Sequence, residues 1–89
     1  MSAGIYKIEN LIDANIYIGS TNNFKMRFKT HKSKLNLNNH PNIHLQRAWN
    51  LYKEQNFKFE EIIECEKDQL SLKEQHYLDL LYRGFNKSR

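Results

Sequence analysis

The stretch GIYKIENLIDANIYIGS, residues 4–20, decides how this chain begins to fold. Apolar and polar side chains alternate over residues 3–9 and again over residues 15–20, the period of two that is typical of half-buried strands. Residues 11–14 lie between the two segments and are long enough for a tight connection. The stretch therefore predicts an antiparallel β-hairpin at the N-terminus.

The rest of the pattern predicts two helices, a third strand and a third helix. Turn formers and helix caps separate these elements, among them STNN at 20–23, NLNNHPN at 36–42, Asp68 and Gly84. The predicted bounds are about 24–35 and 42–52 for the helices, 57–64 for the strand, and 68–82 for the last helix. The order ββααβα predicts a small α+β sandwich, a three-stranded antiparallel sheet flanked by helices.

Size and composition indicate one globular domain over residues 1–89. Apolar residues make up 39% of the chain, which suits a compact core and not a disordered tail. No apolar run reaches the length of about 18 residues that a membrane helix needs, and we expect no membrane partner. A single cysteine, Cys65, excludes an intrachain disulfide and is interpreted as a core residue.

The charge distribution is more informative than the net charge of +4. Residues 14–53 contain no carboxylate and carry a formal charge of +7. Such a surface attracts phosphate backbones, although a solvated lysine-rich face without a ligand would look the same. The candidate nucleic-acid-binding residues are Lys25, Lys29, Lys32, Lys34 and Arg47.

The hairpin tyrosines have two interpretations. Gly4 and Tyr6 share one strand face, as do Tyr17 and Gly19, and tyrosine in a strand is most often simply packed. Glycine inside a strand, however, often marks a close approach of backbone or ligand. We therefore hypothesise that Gly4 and Gly19 open a shallow platform for a phosphate backbone, and that this face is not part of the core.

Glu74 is the most unusual polar residue of the last helix. With about 100° between successive residues, it falls in the middle of the stripe formed by Leu70, Tyr77, Leu78 and Leu81. An unpaired carboxylate in such a stripe costs several kcal/mol, so a cation should oppose it. A buried ion pair and a metal ion both fit.

The first helix carries a second group of polar residues near its apolar stripe. Arg27 and His31 are one turn apart and therefore neighbours on the helix surface. Together they are typical of a site, whereas each alone fits a surface arginine or a satisfied core-edge histidine. The histidines His31, His40, His44 and His76 lack the spacing and the cysteine pair of a structural zinc site.

These residues in this order resemble the GIY-YIG nuclease superfamily. GIY stands at 4–6, YIG at 17–19, HPNIHLQRAWN at 40–50 and GFN at 84–86, with Arg27, His31 and Glu74 between them. The matches span nearly the whole chain. Their compact spacing is most similar to the N-terminal catalytic domain of phage and mobile-intron homing endonucleases.

The resemblance implies metal-dependent hydrolysis of DNA phosphodiesters, with DNA as the partner. It implies that Arg27 binds the scissile phosphate and that Glu74 binds one divalent cation, Mg²⁺ or Mn²⁺. It implies active-site roles for Tyr6, Tyr17, His31, His40 and Asn86, with Phe85 where the family more often has tyrosine. It further implies a separate C-terminal DNA-binding domain. The single cysteine fits a reducing compartment, and we expect a cytoplasmic location in a bacterial or phage-infected cell.

The identity of the general base remains open between two residues. Tyr6 is the first candidate because a nearby cation and Arg27 would favour its phenolate. His31 is the competing assignment. A non-catalytic basic module that binds nucleic acid with the same face is the alternative function.

Overall fold

The N-terminal hairpin forms as predicted and provides two of the three strands. The computed structural model describes residues 3–81. Strands β1 (Gly4–Asn10), β2 (Ile16–Thr21) and β3 (Phe57–Glu64) form one antiparallel sheet in the order β2-β1-β3. The strand β1 is therefore central, and β2 is an edge strand.

Three helices complete the predicted order ββααβα. They are α1 (Phe24–Asn36), α2 (Ile43–Tyr52) and α3 (Leu70–Leu81). The side chains of Asn23 and Asn42 cap α1 and α2 by accepting hydrogen bonds from the backbone N–H groups of Met26 and Leu45. Short 3₁₀ turns precede β3 and α3. The sequence pattern did not indicate these turns. The predicted helix end near Tyr82 and stop at Gly84 lie outside the described residues.

The sheet separates two groups of apolar side chains. On one face, Tyr6 and Ile8 of β1 pack with α1 and α2, mainly Phe24, Leu35, Leu45, Ala48 and Trp49. On the other face, Ile5, Ile16 and Ile18 pack with α3 through Leu78. The sheet thus lies between two helical layers, which confirms the sandwich and makes β2 an edge that both layers can reach.

The strand register places the two hairpin tyrosines on the same face as α1. Tyr6 lies opposite Gly19 and Ile8 lies opposite Tyr17 in the β1–β2 pair. Side chains that face each other across antiparallel strands point to the same side of the sheet.

Within residues 3–81, no helix is long and apolar enough to cross a membrane.

Candidate active site

Tyr6 is a core residue, and the predicted open platform around it does not exist. Its side chain is 0% exposed and belongs to the apolar group beneath α1 and α2. Phe28 and Tyr17 flank its ring at centroid separations of 5.5 and 6.4 Å. The platform hypothesis was wrong because α1 covers this face of the hairpin.

The two glycines make room for neighbouring protein atoms, which are backbone of β3 and a side chain at Gly4 and a side chain at Gly19, and not for a phosphate backbone on this face. A Cβ on residue 4 would lie 2.7 Å from Cζ of Phe24 and would also meet the backbone of β3. A Cβ on residue 19 would lie 2.6 Å from Cζ of Tyr6. Gly19 therefore lets the Tyr6 phenol lie directly over the edge strand.

A row of buried polar groups begins at the Tyr6 hydroxyl. Tyr6 Oη is 2.6 Å from Nε2 of His31, and Nδ1 of His31 is 2.8 Å from Nε2 of His40. The His31 ring is on the sheet-facing side of α1, where it is 3% exposed, and His40 is 8% exposed. The structure thus brings together three of the predicted site residues.

Arg27 lies one turn before His31 and reaches the same phenol. Its Nε donates a hydrogen bond to Tyr6 Oη at 3.3 Å, and this contact raises the pKa of the guanidinium. Arg27 also borders a cavity of about 30 Å³, about the volume of one water. The other lining residues are Tyr17, Thr30, His31, Lys34, His40 and Pro41.

The phenols are held mainly neutral in this environment. Burial raises the pKa of Tyr6 well above its ordinary value, and the hydrogen bond from Arg27 opposes that rise only in part. Burial also raises the pKa of Tyr17, while the Arg27 charge and hydrogen bonds from Arg27 and Tyr6 lower it. Tyr17 is half-buried and borders the cavity, so it links the buried phenol to the outside.

The two histidines are also neutral at physiological pH. Burial, followed by the charge of Arg27, lowers the pKa of His31 to about 3. Burial, followed by the charge of Lys34, lowers the pKa of His40. Two buried rings beside two fixed cations therefore remain uncharged, and each carries one N–H that can donate and one lone pair that can accept.

Glu74 approaches the same strand edge from the opposite layer. It lies on the sheet-facing side of α3, where its Oε1 accepts a hydrogen bond from Oγ of Ser20 at 2.7 Å. The charge of Glu74 raises the pKa of both Tyr6 and Tyr17, so the carboxylate is within electrostatic range of the two phenols. The expectation of an inward-facing acid is confirmed, although its partner within residues 3–81 is a hydroxyl and not a cation.

The donor set near Glu74 fits a cation that needs few protein ligands. Among residues 3–81, no three His, Cys, Asp or Glu side chains are grouped closely enough to hold a metal ion. Mg²⁺ is satisfied by one or two carboxylates, with waters and substrate phosphates as its remaining ligands. Glu74 therefore suits Mg²⁺ or Mn²⁺ and does not suit a closed zinc site.

Three polar residues support the site and were missed by the sequence analysis. Gln46 accepts a hydrogen bond from the backbone N–H of His40 and donates to the carbonyl of Leu35, which ties α1, the loop and α2 together. Ser20 and Asn42 contact Glu74 and His40, respectively. Gln46 lies about 100° from Leu45 on α2, outside the apolar stripe of that helix, so its burial had no signal in the spacing like that of Glu74.

The predicted nucleic-acid-binding cations are all exposed, and Lys34 borders the cavity beside Arg27. Lys32 lies 5.1 Å from the ring centroid of Phe59, over the far strand. Lys25 and Lys29 are exposed on α1 and Arg47 is exposed on α2. His44 and His76 are exposed, as expected, and Asn86 lies outside the described residues.

Comparisons of sequence identify relatives of this chain. A family model described as the GIY-YIG catalytic domain matches residues 2–87. The chain is 40% identical over 50 residues to Intron-associated endonuclease 1 of Enterobacteria phage T4. That match covers 56% of this chain and 20% of the phage protein, so the match spans about a fifth of the relative's length.

Solved structures of similar fold agree with the sequence matches. The catalytic domain of homing endonuclease I-TevI superposes with a TM-score of 0.85 at 30% identity, covering 98% of this chain and 99% of that domain. A glutamate-to-alanine mutant of the catalytic domain of intron endonuclease I-TevI gives 0.88 at 31% identity, over 97% and 93% of the two chains.

Proposed function

This chain belongs to the GIY-YIG family of catalytic domains, and from that premise we propose that it cleaves DNA as a metal-dependent endonuclease. The observation that carries the proposal is the meeting of Arg27 and His31 at one phenol oxygen, Tyr6 Oη. Glu74 reaches the same strand edge from the other layer, as its effect on the pKa of that phenol indicates. A basic binding module needs neither the buried phenol nor the acid.

The cationic side chains at the cavity bind the DNA phosphate. Arg27 donates to Tyr6 through Nε, and its terminal nitrogens can donate to the scissile phosphate. Lys34 borders the same cavity and supplies a second positive charge. The half-buried position of Arg27 strengthens its attraction for a phosphate relative to a fully exposed side chain.

The reaction adds water to phosphorus and breaks the bond to the 3′ oxygen. The Tyr6 phenol first loses its proton through Tyr17 to solvent; the attacking water then gives its proton through the Tyr17 hydroxyl to the Tyr6 phenolate, and the departing 3′ oxygen takes up a proton from solvent. Held by Glu74 and waters, one Mg²⁺ or Mn²⁺ would stabilise negative charge on the phosphoryl and leaving oxygens. Arg27 orients the phosphate and neutralises part of that charge.

Tyr6 is the residue that we propose as the general base. Arg27 donates to its oxygen through Nε, and Nε2 of His31 lies 2.6 Å from the same oxygen, so both groups are placed to stabilise the phenolate. His31 with a pKa of about 3 is too weak a base to take a proton from water at neutral pH. Because Tyr6 is fully buried, Tyr17 at the cavity wall connects it to the attacking water.

Nicking of supercoiled plasmid tests the proposed function. We expect cleavage with Mg²⁺ or Mn²⁺, none with EDTA, and a loss of at least about 10²-fold in Glu74→Gln, which keeps the size and removes the charge. Gln75→Ala, on the exposed side of the same helix, is the matched control. DNA binding without cleavage in any metal would favour the non-catalytic module.

Replacement of single hydroxyls tests the assignment of the base. Tyr6→Phe keeps the ring and removes the acceptor of both donors, so we expect cleavage to fall by about 10²–10⁴-fold. If cleavage stays within about tenfold of the wild type, Tyr6 is excluded as the base. Tyr17→Phe should also slow cleavage, because it interrupts the connection between Tyr6 and the cavity.

Recognition of the DNA target sequence is proposed to reside outside this domain. One small domain that contacts mainly phosphates supplies only part of the 1,000–2,500 Å² or so that sequence-specific DNA complexes bury. We therefore propose that a separate C-terminal domain supplies target recognition. The short share of the phage relative that this chain matches supports such a division.

A further inference from the structure

The row of buried polar groups continues past His40 to a backbone amide. The N–H of Asn42 donates to Nδ1 of His40 at 3.0 Å, and the row then runs through His31 to Tyr6. A backbone N–H can only donate, so its direction is known from chemistry alone. The two histidine rings can each donate from either nitrogen, and their protons must be assigned from the network.

The direction of the first hydrogen bond determines all the others. Since Asn42 donates to Nδ1 of His40, the proton of the neutral His40 ring is on Nε2. That proton points at Nδ1 of His31, which must therefore be the acceptor. The His31 proton is then on Nε2 and points at Tyr6 Oη.

We propose that the Asn42 amide fixes the tautomers of His40 and His31, so that Tyr6 always receives a hydrogen bond from His31 and never donates one to it. His40 is then a positioning residue that acts on Tyr6 through His31. The Tyr6 proton has to leave on the other side, where the Tyr17 ring stacks on the Tyr6 ring at a centroid separation of 6.4 Å. The catalytic consequence rests on the proposed function, whereas the tautomers do not.

This direction gives the histidines a specific task. With Nε2–H of His31 and Nε–H of Arg27 both pointing at it, the Tyr6 oxygen meets two donors in a buried site. Two donors favour the phenolate over the phenol. In the reverse tautomer, the bare Nε2 of His31 would accept a hydrogen bond from the Tyr6 hydroxyl, which favours the neutral phenol.

Nitrogen NMR of the intact chain, without DNA or metal, tests the tautomers directly. In a ¹⁵N-labelled sample at neutral pH, a bare ring nitrogen resonates far from a protonated one. We expect bare Nδ1 and protonated Nε2 in both His31 and His40, with exposed His44 and His76 as internal references. A protonated Nδ1 on either buried ring would overturn the proposal.

A pair of nearly isosteric variants tests the transmission from His40. In His40→Gln the amide can accept from Asn42 and donate to His31, so we expect His31 Nδ1 to stay bare. In His40→Glu the carboxylate can only accept, so His31 Nδ1 should become protonated. We expect cleavage to be about 10²-fold slower in the glutamate variant than in the glutamine variant.

The outcomes separate this proposal from the proposed function. Identical His31 tautomers in the two variants, or equal cleavage rates despite different tautomers, would contradict it. His44→Gln is the control for a histidine outside the row. If the wild type cleaves no DNA, the endonuclease proposal fails, while the NMR result still decides the tautomers.

Discussion

Tyr6 is under two demands that oppose each other. As a core side chain it loses contact with water, which raises its pKa and disfavours the charged form. As a candidate base it has to reach the charged form during the reaction. Arg27 and, in the proposed tautomer, His31 donate to the Tyr6 oxygen and offset part of the cost of its burial. Loss of either donor should therefore affect catalysis more than folding.

Gly19 gives a prediction about the position of this phenol. In Gly19→Ala the new methyl group would overlap the hydroxyl end of the Tyr6 ring, which would have to move away. We expect a loss of about 1–3 kcal/mol in the free energy of unfolding from overpacking. We also expect plasmid nicking to fall by at least about tenfold, since Tyr6 Oη moves away from its donors.

Gly4→Ala is the matched comparison for that prediction. Its Cβ would meet a backbone carbonyl of β3 and the Phe24 ring, which are not part of the hydrogen-bonded row. We expect a larger loss of stability than in Gly19→Ala, measured by urea unfolding, and a smaller loss of nicking per folded molecule. If Gly19→Ala lost more stability and less nicking activity than Gly4→Ala, the space that Gly19 leaves would not be what positions Tyr6.

The connection between α1 and α2 determines where His40 lies. Gln46 is buried, accepts from His40 N and donates to the carbonyl of Leu35 at 3.0 Å each. Its amide also donates to Asn50. A loop that would otherwise be free to move is thus held to both helices, which keeps His40 against His31.

Removal of the Gln46 amide tests this role of the connection. Gln46→Ala leaves a buried N–H and a buried carbonyl without their partner, at a cost of about 1–3 kcal/mol for each group. We expect a lower urea concentration at the midpoint of unfolding. In the ¹⁵N NMR spectrum, we also expect His40 to lose the pattern of one bare and one protonated ring nitrogen. Gln75→Ala removes the same side chain from an exposed position of α3 and should change stability by no more than about 0.5 kcal/mol. Equal effects of the two substitutions would contradict the assignment.

The local sequence pattern was sufficient to predict the strands and helices and to identify the face of α3 that points to the sheet. Alternation and capping residues predicted the strands and helices to within one or two residues, and Glu74 was located from the spacing of its apolar neighbours alone. What could not be predicted is which helix covers which face of the sheet. That depends on long-range pairing, and for this reason the burial of Tyr6 and the contact between Glu74 and Ser20 were not foreseen.

The whole molecule brings groups from two layers to one edge of the sheet. Arg27 and His31 come from α1 above β2, and Glu74 comes from α3 below it. An edge strand is the only part of a sheet that both layers can approach without passing through it. The sandwich therefore positions a cation and an acid on either side of a single strand, the arrangement that the proposed phosphate binding requires.

The stability of the whole molecule should depend on pH through His31. In the unfolded chain this histidine titrates near 6.5, whereas in the folded protein its pKa is about 3. Between these values the unfolded state binds a proton that the folded state excludes, so the free energy of unfolding falls as pH falls. At pH 5 the loss from this residue is about 2 kcal/mol, and it is absent above about pH 7.

Urea unfolding at pH 7 and pH 5 measures this effect. His31→Gln should lose less stability than the wild type between the two pH values, by up to about 2 kcal/mol. His44→Gln, at an exposed position, should behave as the wild type does. An unchanged pH dependence in His31→Gln would show that the buried ring is not the source.

Attraction of DNA should come mainly from the carboxylate-free window of residues 14–53 and should weaken with salt. If the domain neutralises about four phosphates, its Kd for DNA in EDTA rises by about 10²-fold between about 50 and 200 mM salt, because bound counterions are released on association.

Two lysine variants test which surface binds the phosphates. Lys34 borders the cavity, so Lys34→Gln should reduce the slope of log Kd against log salt by the contribution of about one phosphate. Lys58 on β3 pairs with Glu60, and Lys58→Gln should leave the salt dependence unchanged. A Kd that does not vary with salt, or equal effects of the two substitutions, would contradict phosphate binding at the cavity, whichever residue is the base.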